Sequence, residues 1–500
     1  MLNICIKISN IIIIINIIII MILIVLPNQL FPIQLIKKKI KNITQIVLIE
    51  EPRYFTDFKF HKLKLVYHRT SMKKYYDDIK KLYKCVYIDF SDVTISIYKR
   101  LNNDKTYYFN PIDHVLLNKF NKVLSKAIMI DNFNFLILPK DVHENKDIFY
   151  KNNKYYHSEF YKFQRRRLNI LMDGDNPVKN KWSFDEENRN KLPKNIKIPK
   201  LQKIKKGKYY VDAVKYINTH FEDNYGDVDN FIYPYDTKTA IKWLKHFMVN
   251  KLHKFGEFQD AVDKDNNFLF HSAISPMMNI GILPDFIVVD LVNKYYLKHK
   301  SIPISSYEGF IRQVIGWRNY VYSIYLLEPN MHNKNYLGHT RKIKNEYWEG
   351  NVLIDPIDNI INNIVKYSYA HHIERLMYLG NWFLLNEKHP KEVYRIFMEW
   401  TIDAYDWVMV PNIFGMSQYA DGGKMMSRIY FSSSNYIENM SNYKKNSDWS
   451  KIWNALYYNF INNNKDMLKK NYATARQVTH WKNKTEKEKK MLLDIARKYL

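Results

Sequence analysis

"MILIVLPNQLF", residues 21–31, is a continuous, β-branched apolar run that stops at a Pro-Asn turn. A run with no polar alternation is the pattern of a strand buried on both faces of a parallel sheet. Further short apolar segments follow: "QIVLIE" (45–50), "KLVYHR" (64–69), "CVYIDF" (85–90) and "FNFLILP" (133–139). Lys-rich helical stretches such as "SMKKYYDDIKKLY" (71–83) alternate with them. That alternation predicts an α/β, Rossmann-like parallel-sheet domain over residues 21–140. Neither a G-x-G-x-x-G nor a Walker loop follows the first strand, so an ordinary dinucleotide or triphosphate site there is unsupported.

Residues 1–20 are an apolar leader, and Ile11 to Leu26 is nearly unbroken apart from Asn16. The run reaches membrane-spanning length only by taking in Lys7, Ser9 and Asn10. An anchor formed by residues 1–26 is therefore the weaker reading, and translation from Met21 would remove the leader altogether. Residues 141–205 turn polar, contain a basic cluster and a Asp-Gly-Asp-Asn-Pro turn, and read as an interdomain linker. From 206 to 485 the period is helical, as in "TKTAIKWLKHFMVNKL" (237–252), which predicts a large all-α domain closed by a charged helix end at 486–500.

The chain has 77 Lys and Arg against 50 Asp and Glu, a net charge of +27 and a pI near 9.5. That surplus favours a polyanion, nucleic acid first, although a Lys-, Asn-, Ile- and Tyr-rich composition also follows from AT-rich coding. Two cysteines, Cys5 and Cys85, exclude a disulfide framework and a cysteine-built metal centre. They fit an intracellular, reducing compartment: cytoplasm, nucleus or virion.

Several stretches carry chemistry. "FLFHSAISPMMNIGIL" (268–283) sets His271, Ser272 and Ser275 before a Pro-initiated helix, either a phosphate cradle or an ordinary helix cap. "FIRQVIGWR" (310–318) puts Gln313 and Trp317 on one helical face beside Arg318, either to stack and read a ring or as a half-buried aromatic stripe. "YAHHIERLMYLGNW" (369–382) holds adjacent His371 and His372 at the head of an apolar helix, where successive side chains point about 100° apart and need not act together. "DAYDWVMVPNIFGMSQYADGG" (403–423) places Asp403 and Asp406 in an aromatic helix, and buried carboxylates require partners.

These motifs, with "QRRRLNILMDGDNPVKNKWSFDEENRNKLPK" (164–194), occur in order along the chain. Together they resemble the prokaryotic-type photolyase and cryptochrome branch, the iron–sulfur (6-4) photolyases or deoxyribodipyrimidine photolyase-related proteins. The resemblance implies the photolyase/cryptochrome fold, with FAD held in the helical domain, an α/β domain with a lumazine-type antenna, and light-driven repair of UV-damaged DNA by a monomer needing no membrane partner. It assigns Phe258, His271, Ser272 and Ser275 to the phosphate and ribityl side of the cofactor. Arg318, Asp403, Tyr405 and Asn412 are assigned to the flavin, Tyr405 being counted with the catalytic group. Gln313 would touch the flipped lesion, and His372 matches the histidine that passes a proton to a (6-4) adduct; His371 is left structural. Arg165, Arg166 and Arg167 are expected at DNA phosphates or the domain interface, or in ion pairs with the "DEE" that follows. Trp348, Trp382, Trp400 and Trp407 are the candidate electron relay. A cryptochrome-like photoreceptor without repair activity is the rival reading.

The chain departs from that family in three places. The positions of the four cluster cysteines read Pro356, Lys444, Ser447 and Lys451, so no iron–sulfur cluster and no other metal is expected. Donor aromatics before Met398 read Ile396 and Phe397. The first-strand loop has Asn28 in place of Asp, leaving Gln29, Glu50 and Glu51 as antenna contacts, unless those carboxylates face solvent.

Overall fold

The computed structural model describes residues 3–8, 11–16 and 20–500. Strands β1 (Asn3–Ile8) and β2 (Ile11–Asn16) pair antiparallel. The remainder of the leader lies outside the described residues. Among the described residues no helix is long and apolar enough to cross a membrane.

The sheet contains β3 (Ile22–Val25), β4 (Gln45–Ile49), β5 (Lys84–Ile88), β6 (Thr106–Phe109) and β7 (Ile128–Ile130). All pair in parallel, in the order β5-β4-β3-β6-β7. The opening run is thus the central strand, and Leu23, Ile24 and Val25 have no exposed surface. Two of the expected strands are not strands. "KLVYHR" lies in the helix Lys62–Ile79, and "FNFLILP" is loop and helix start, while the strands on the far side of β3 are "TYYF" and "IMI". The physical reason is all-round burial. Leu63 to Met72 are all buried, since the helix is covered on several sides, among them β5 and the helix Lys208–His220. A helix with no solvent-facing stripe loses its 3.6-residue period and reads as a buried strand.

The first part of the segment 141–205 is structured, while residues 189–205 carry no helix or strand and are mostly exposed. It holds the helix His157–Leu168 and two short antiparallel ladders. The helix ends at Asn169 in the left-handed conformation (φ 51°).

Beyond residue 205 every named element is helical. Three of those elements are π-helical, Arg312–Arg318, Glu374–Gly380 and Pro411–Ser417, and they coincide with three of the chemical motifs. Wide turns of this kind are costly and concentrate at functional sites. The two halves share backbone bonds: His61 N–H donates to Glu399 O (2.7 Å) and Leu30 N–H to Ile280 O (2.8 Å). Gly281 (φ +86°) permits the second contact, because a Cβ there would meet the Phe31 ring at 2.8 Å.

Candidate functional site

The helical half is organised around a buried carboxylate. Asp403 Oδ1 receives Arg375 Nη1 at 2.9 Å and Oδ2 receives the Ser275 hydroxyl at 2.5 Å. Asn279 Nδ2 donates to the Asp403 carbonyl (2.8 Å), and its own Oδ1 accepts from Arg318 Nη1 (2.5 Å). Burial raises the Asp403 carboxyl, but Arg375 and Ser275 outweigh it and hold it below the ordinary range. Arg318 lies over Trp407 (4.8 Å) and over Phe135 of the α/β half (5.0 Å). Burial brings its pKa down to about 10. Its Nε is buried without a hydrogen-bond partner among the described residues.

Beside this network sit three histidines. The rings of His271 and His371 stack at 4.4 Å and 14°, and His372 stands edge-on to His271 at 5.6 Å. His271 and His371 are buried, whereas the His372 side chain is 49% exposed, within 3.5 Å of Asp260 Oδ1. Consecutive positions on the chain thus differ, one ring packed and the other half-exposed. Burial drives His271 down to about 3 and His371 well below its usual value, so both are neutral. Burial also pushes Glu374, which accepts from His371 N–H (2.9 Å), up to about 8.

Of the other sequence candidates, Ser272 gives its carbonyl to Trp243 Nε1 (2.8 Å). Phe258 packs on Phe270 at 5.6 Å, in a small cluster apart from the main core. Gln313, Trp317 and Asn412 are half-buried, and Asn412 Nδ2 donates within its own helix to Val408 O (2.7 Å). Tyr405 faces the other way. Its hydroxyl is 2.8 Å from His68 Nε2 and Lys64 Nζ lies 5.3 Å from its ring centroid, which puts it in the seam between the two halves.

The arginine triplet splits. Arg165 has no exposed surface, and its guanidinium donates to the carbonyls of Ile170, Leu171, Lys181 and Trp182, so it fastens its own segment and is out of reach of a phosphate. Arg167 donates to Leu136 O (2.6 Å), an interdomain contact, and Arg166 is exposed beside Trp182. The candidate relay tryptophans fall into separate ring contacts. Trp348 pairs with Trp400 (6.1 Å) and Trp382 with Trp453 (5.1 Å), while Trp407 packs on Phe135 (4.7 Å).

Gln29, Glu50 and Glu51 are buried, not solvent-facing, and their polar atoms are engaged within the protein. Gln29 Nε2 bridges to Phe109 O (3.1 Å) and Asn110 O (3.3 Å), across the point where strand order reverses. Glu50 binds Arg69 (2.7 Å) and the Tyr87 hydroxyl (2.5 Å), and Glu51 binds Lys119 (2.7 Å). Of the positions aligned with cluster cysteines, Pro356 is buried at a helix start and Lys451 pairs with Asp448 at 2.8 Å.

Residues 23–233 match the family described as deoxyribodipyrimidine photo-lyase-related protein. Over 337 residues the chain is 35% identical to a (6-4) photolyase of Agrobacterium fabrum, covering 65% of this chain and 66% of that one. The chain belongs to the photolyase and cryptochrome branch. Its fold agrees with that of a bacterial class III photolyase from Agrobacterium tumefaciens (TM-score 0.55, 14% identity, 80% of this chain and 79% of that one). It agrees equally with a Synechocystis cryptochrome (TM-score 0.55, 13% identity, 94% of this chain and 93% of that one).

Within this photolyase-type fold, the residues that sequence reasoning missed are Arg375, Asn279, Glu374 and Asp260. Arg375 was within reach of it: it stands in "YAHHIERL", four places after His371, so a cation one turn past the histidine pair was available to meet Asp403. Asp260 carried no signal, since only the fold brings it to His372.

Proposed function

We propose that this protein is a light-driven DNA-repair photolyase that binds FAD in its helical half and acts on UV-damaged DNA, with the (6-4) photoproduct as its lesion. The observation that carries the reading is His372: a half-exposed imidazole set against two buried neutral imidazoles and 3.5 Å from the Asp260 carboxylate. Reversal of a (6-4) adduct returns a hydroxyl from one base to the other, and this needs an acid placed at the lesion. A half-exposed imidazole can meet a base flipped out of the duplex, and a buried one cannot.

The residues present fit a flavin dinucleotide. Lys251 is a buried ammonium that donates to His271 O (3.3 Å), and burial alone lowers its pKa to about 8, so an anion beside it would be welcome. Arg318 Nε is a buried donor in want of an acceptor. With the Ser272 hydroxyl they offer donors suited to a diphosphate and its polyol, the Ser275 oxygen, whose proton goes to Asp403, would accept there, and His271, Asp403, Asn412 and Phe258 would complete the lining. A flavin held by these residues would supply, when reduced and lit with blue light, the electron that repair needs. Asp403 keeps Arg375 and Ser275 in place, Gln313 and Trp317 would face the extruded base, and the +27 surplus, Arg166 included, holds phosphates. A lumazine-type antenna and its contacts stay with this proposal, as does a helix Asp448–Asn463 held without a cluster by Trp449 and Trp453.

A cryptochrome-like photoreceptor is the second reading, left open by Ile396 and Phe397 where donor aromatics are expected and by Pro356, Lys444, Ser447 and Lys451 at the cluster-cysteine positions. The test is illumination of the flavin-loaded protein with a (6-4) oligonucleotide. Light-dependent loss of the lesion supports the repair reading; flavin bound at one equivalent with the lesion untouched favours the photoreceptor.

A further inference from the structure

We propose that the segment 191–208 and the adjoining lysine face of the helix Thr237–Asn250 form a surface that holds the phosphates of double-stranded DNA, reading neither sequence nor lesion. The segment is "KLPKNIKIPKLQKIKKGK", six consecutive triplets that each open on lysine: Lys191, Lys194, Lys197, Lys200, Lys203 and Lys206. It contains no Asp, no Glu and no aromatic residue. From 196 to 207 it carries no helix, strand or turn. A three-residue period in an extended chain is that of polyproline II, which returns every third side chain to one face after about 9 Å.

Burial follows the period. All six lysines are exposed, whereas Leu192, Ile198, Leu201 and Ile204, each second in its triplet, are half-buried. Leu192 and Ile198 pack with Ile196 on the cluster of Phe258 and Phe270, and Leu201 and Ile204 pack on the main core. The apolar face is the anchor, and it holds the lysine face toward solvent.

The helix Thr237–Asn250 widens that face. The segment runs along its flank: His246 Nε2 lies 3.1 Å from Lys200 O, and the Tyr235 hydroxyl, just before the helix, donates to Lys205 O (3.3 Å). Lys238, Lys242 and Lys245 are exposed at i, i+4 and i+7, on one side of the helix, while Ala240, Trp243, Leu244 and Phe247 are buried on the other. Residues 237–254 also lack Asp and Glu. Apart from Lys208 with Asp77 and Lys254 with Glu257, no lysine of the two stretches makes an ion pair among the described residues. Lys191 and Lys206 are spent on the carbonyls of Glu438 and Asp229.

The chemistry of the face selects the partner. Unpaired lysines in a row gain by neutralising phosphates, because each contact releases counterions. A single strand needs rings on which its bases stack, and the segment offers none. A lipid surface needs an outward apolar stripe, and here the apolar members of the repeat face inward. The segment also begins beside the candidate site: Arg189 Nε is 3.9 Å from Asp260 Oδ2, and Asp260 meets His372. The inference rests on the DNA reading of the proposed function and extends it to a surface outside the lesion pocket.

The test uses a short, undamaged fluorescent duplex in the dark, so neither light nor lesion enters. Its affinity for the full chain is measured between about 50 and 200 mM salt, for wild type and for a variant with Lys194, Lys197, Lys200 and Lys203 all changed to Gln. The expected result is a slope of log affinity against log salt that falls by about 3 to 4, at about 0.9 per phosphate contact, with affinity about 100-fold weaker near 100 mM. Flavin content and the thermal melt should be unchanged, since all four side chains are exposed. A control with Lys38, Lys39, Lys122 and Lys126 changed to Gln, exposed lysines of the α/β half, should keep the wild-type slope. An unchanged slope in the first variant, or an equal loss in the control, would overturn the assignment. So would tighter binding to phosphatidylserine vesicles than to duplex. Duplex binding with the expected slope in a chain that repairs nothing upholds the surface and removes only the repair reading.

Discussion

Arg375 grips Asp403 at 2.9 Å although the helices Asn381–Leu385 and Pro390–Trp400 lie between them in the chain, and Ser275 takes the second oxygen of the same carboxylate. Breaking a buried pair from one side strands the other charge. Asp403→Asn should therefore cost about 3–5 kcal/mol of stability and release flavin. Urea unfolding and the flavin absorbance of the purified variant measure the two effects; retention of both would show that Arg375 finds another partner.

His372→Ala separates chemistry from folding. The ring is half-exposed, so stability should change by no more than about 0.5 kcal/mol. Loss of a placed acid should lower (6-4) repair by about 100-fold or more. Repair quantum yield, with a thermal melt as control, reads both; repair at the wild-type yield would remove the proton-donor role.

Tyr405→Phe tests whether that residue serves the seam or the reaction. Its hydroxyl is spent on His68, whose buried ring burial holds neutral, at a pKa of about 3. Deleting the hydroxyl leaves His68 without this partner, at a cost of about 1–3 kcal/mol, while repair per bound flavin should be unchanged. A variant as stable as wild type but inactive would return Tyr405 to the catalytic group.

Asp285 gives a pH signature. It has no exposed surface and accepts from Leu136 N–H (3.1 Å) and Asn319 Nδ2 (3.1 Å), and burial raises its pKa to about 7 against the pull of Arg318. A raised carboxyl binds its proton more tightly folded than unfolded. Its contribution is complete below the unfolded value of 3.8 and is lost as pH rises through about 7. Asp285→Asn should therefore become progressively more stable relative to wild type between pH 4 and 7. Chemical denaturation at both ends checks the trend; a constant difference would mean that the carboxyl titrates normally.

Much of the architecture was legible in the chain. "MILIVLP", apolar throughout, is the central strand, and the helical period of the second half follows from one-sided burial. What failed, failed for physical reasons. The helix Lys62–Ile79 is buried all round, so its period vanished and "KLVYHR" read as a strand. Arg165 looked like a phosphate contact because arginine is rarely buried, yet four backbone carbonyls satisfy it inside. The split between His371 and His372 was readable from helix geometry, since adjacent side chains diverge. Their approach to His271 was not, because it depends on chain brought together from 100 positions away. The π-helical turns under Gln313, Arg375 and Asn412 also escaped, since a single inserted residue scarcely alters an apolar period.

The central claim is most directly tested by anaerobic photoreduction of the flavin-loaded full chain, followed by blue light on two oligonucleotides. One carries a single (6-4) adduct and the other a cyclobutane dimer. The prediction is light-dependent restoration of the (6-4) substrate, abolished by His372→Ala, with the cyclobutane dimer unrepaired. Restoration of neither, with flavin bound at one equivalent, would contradict it.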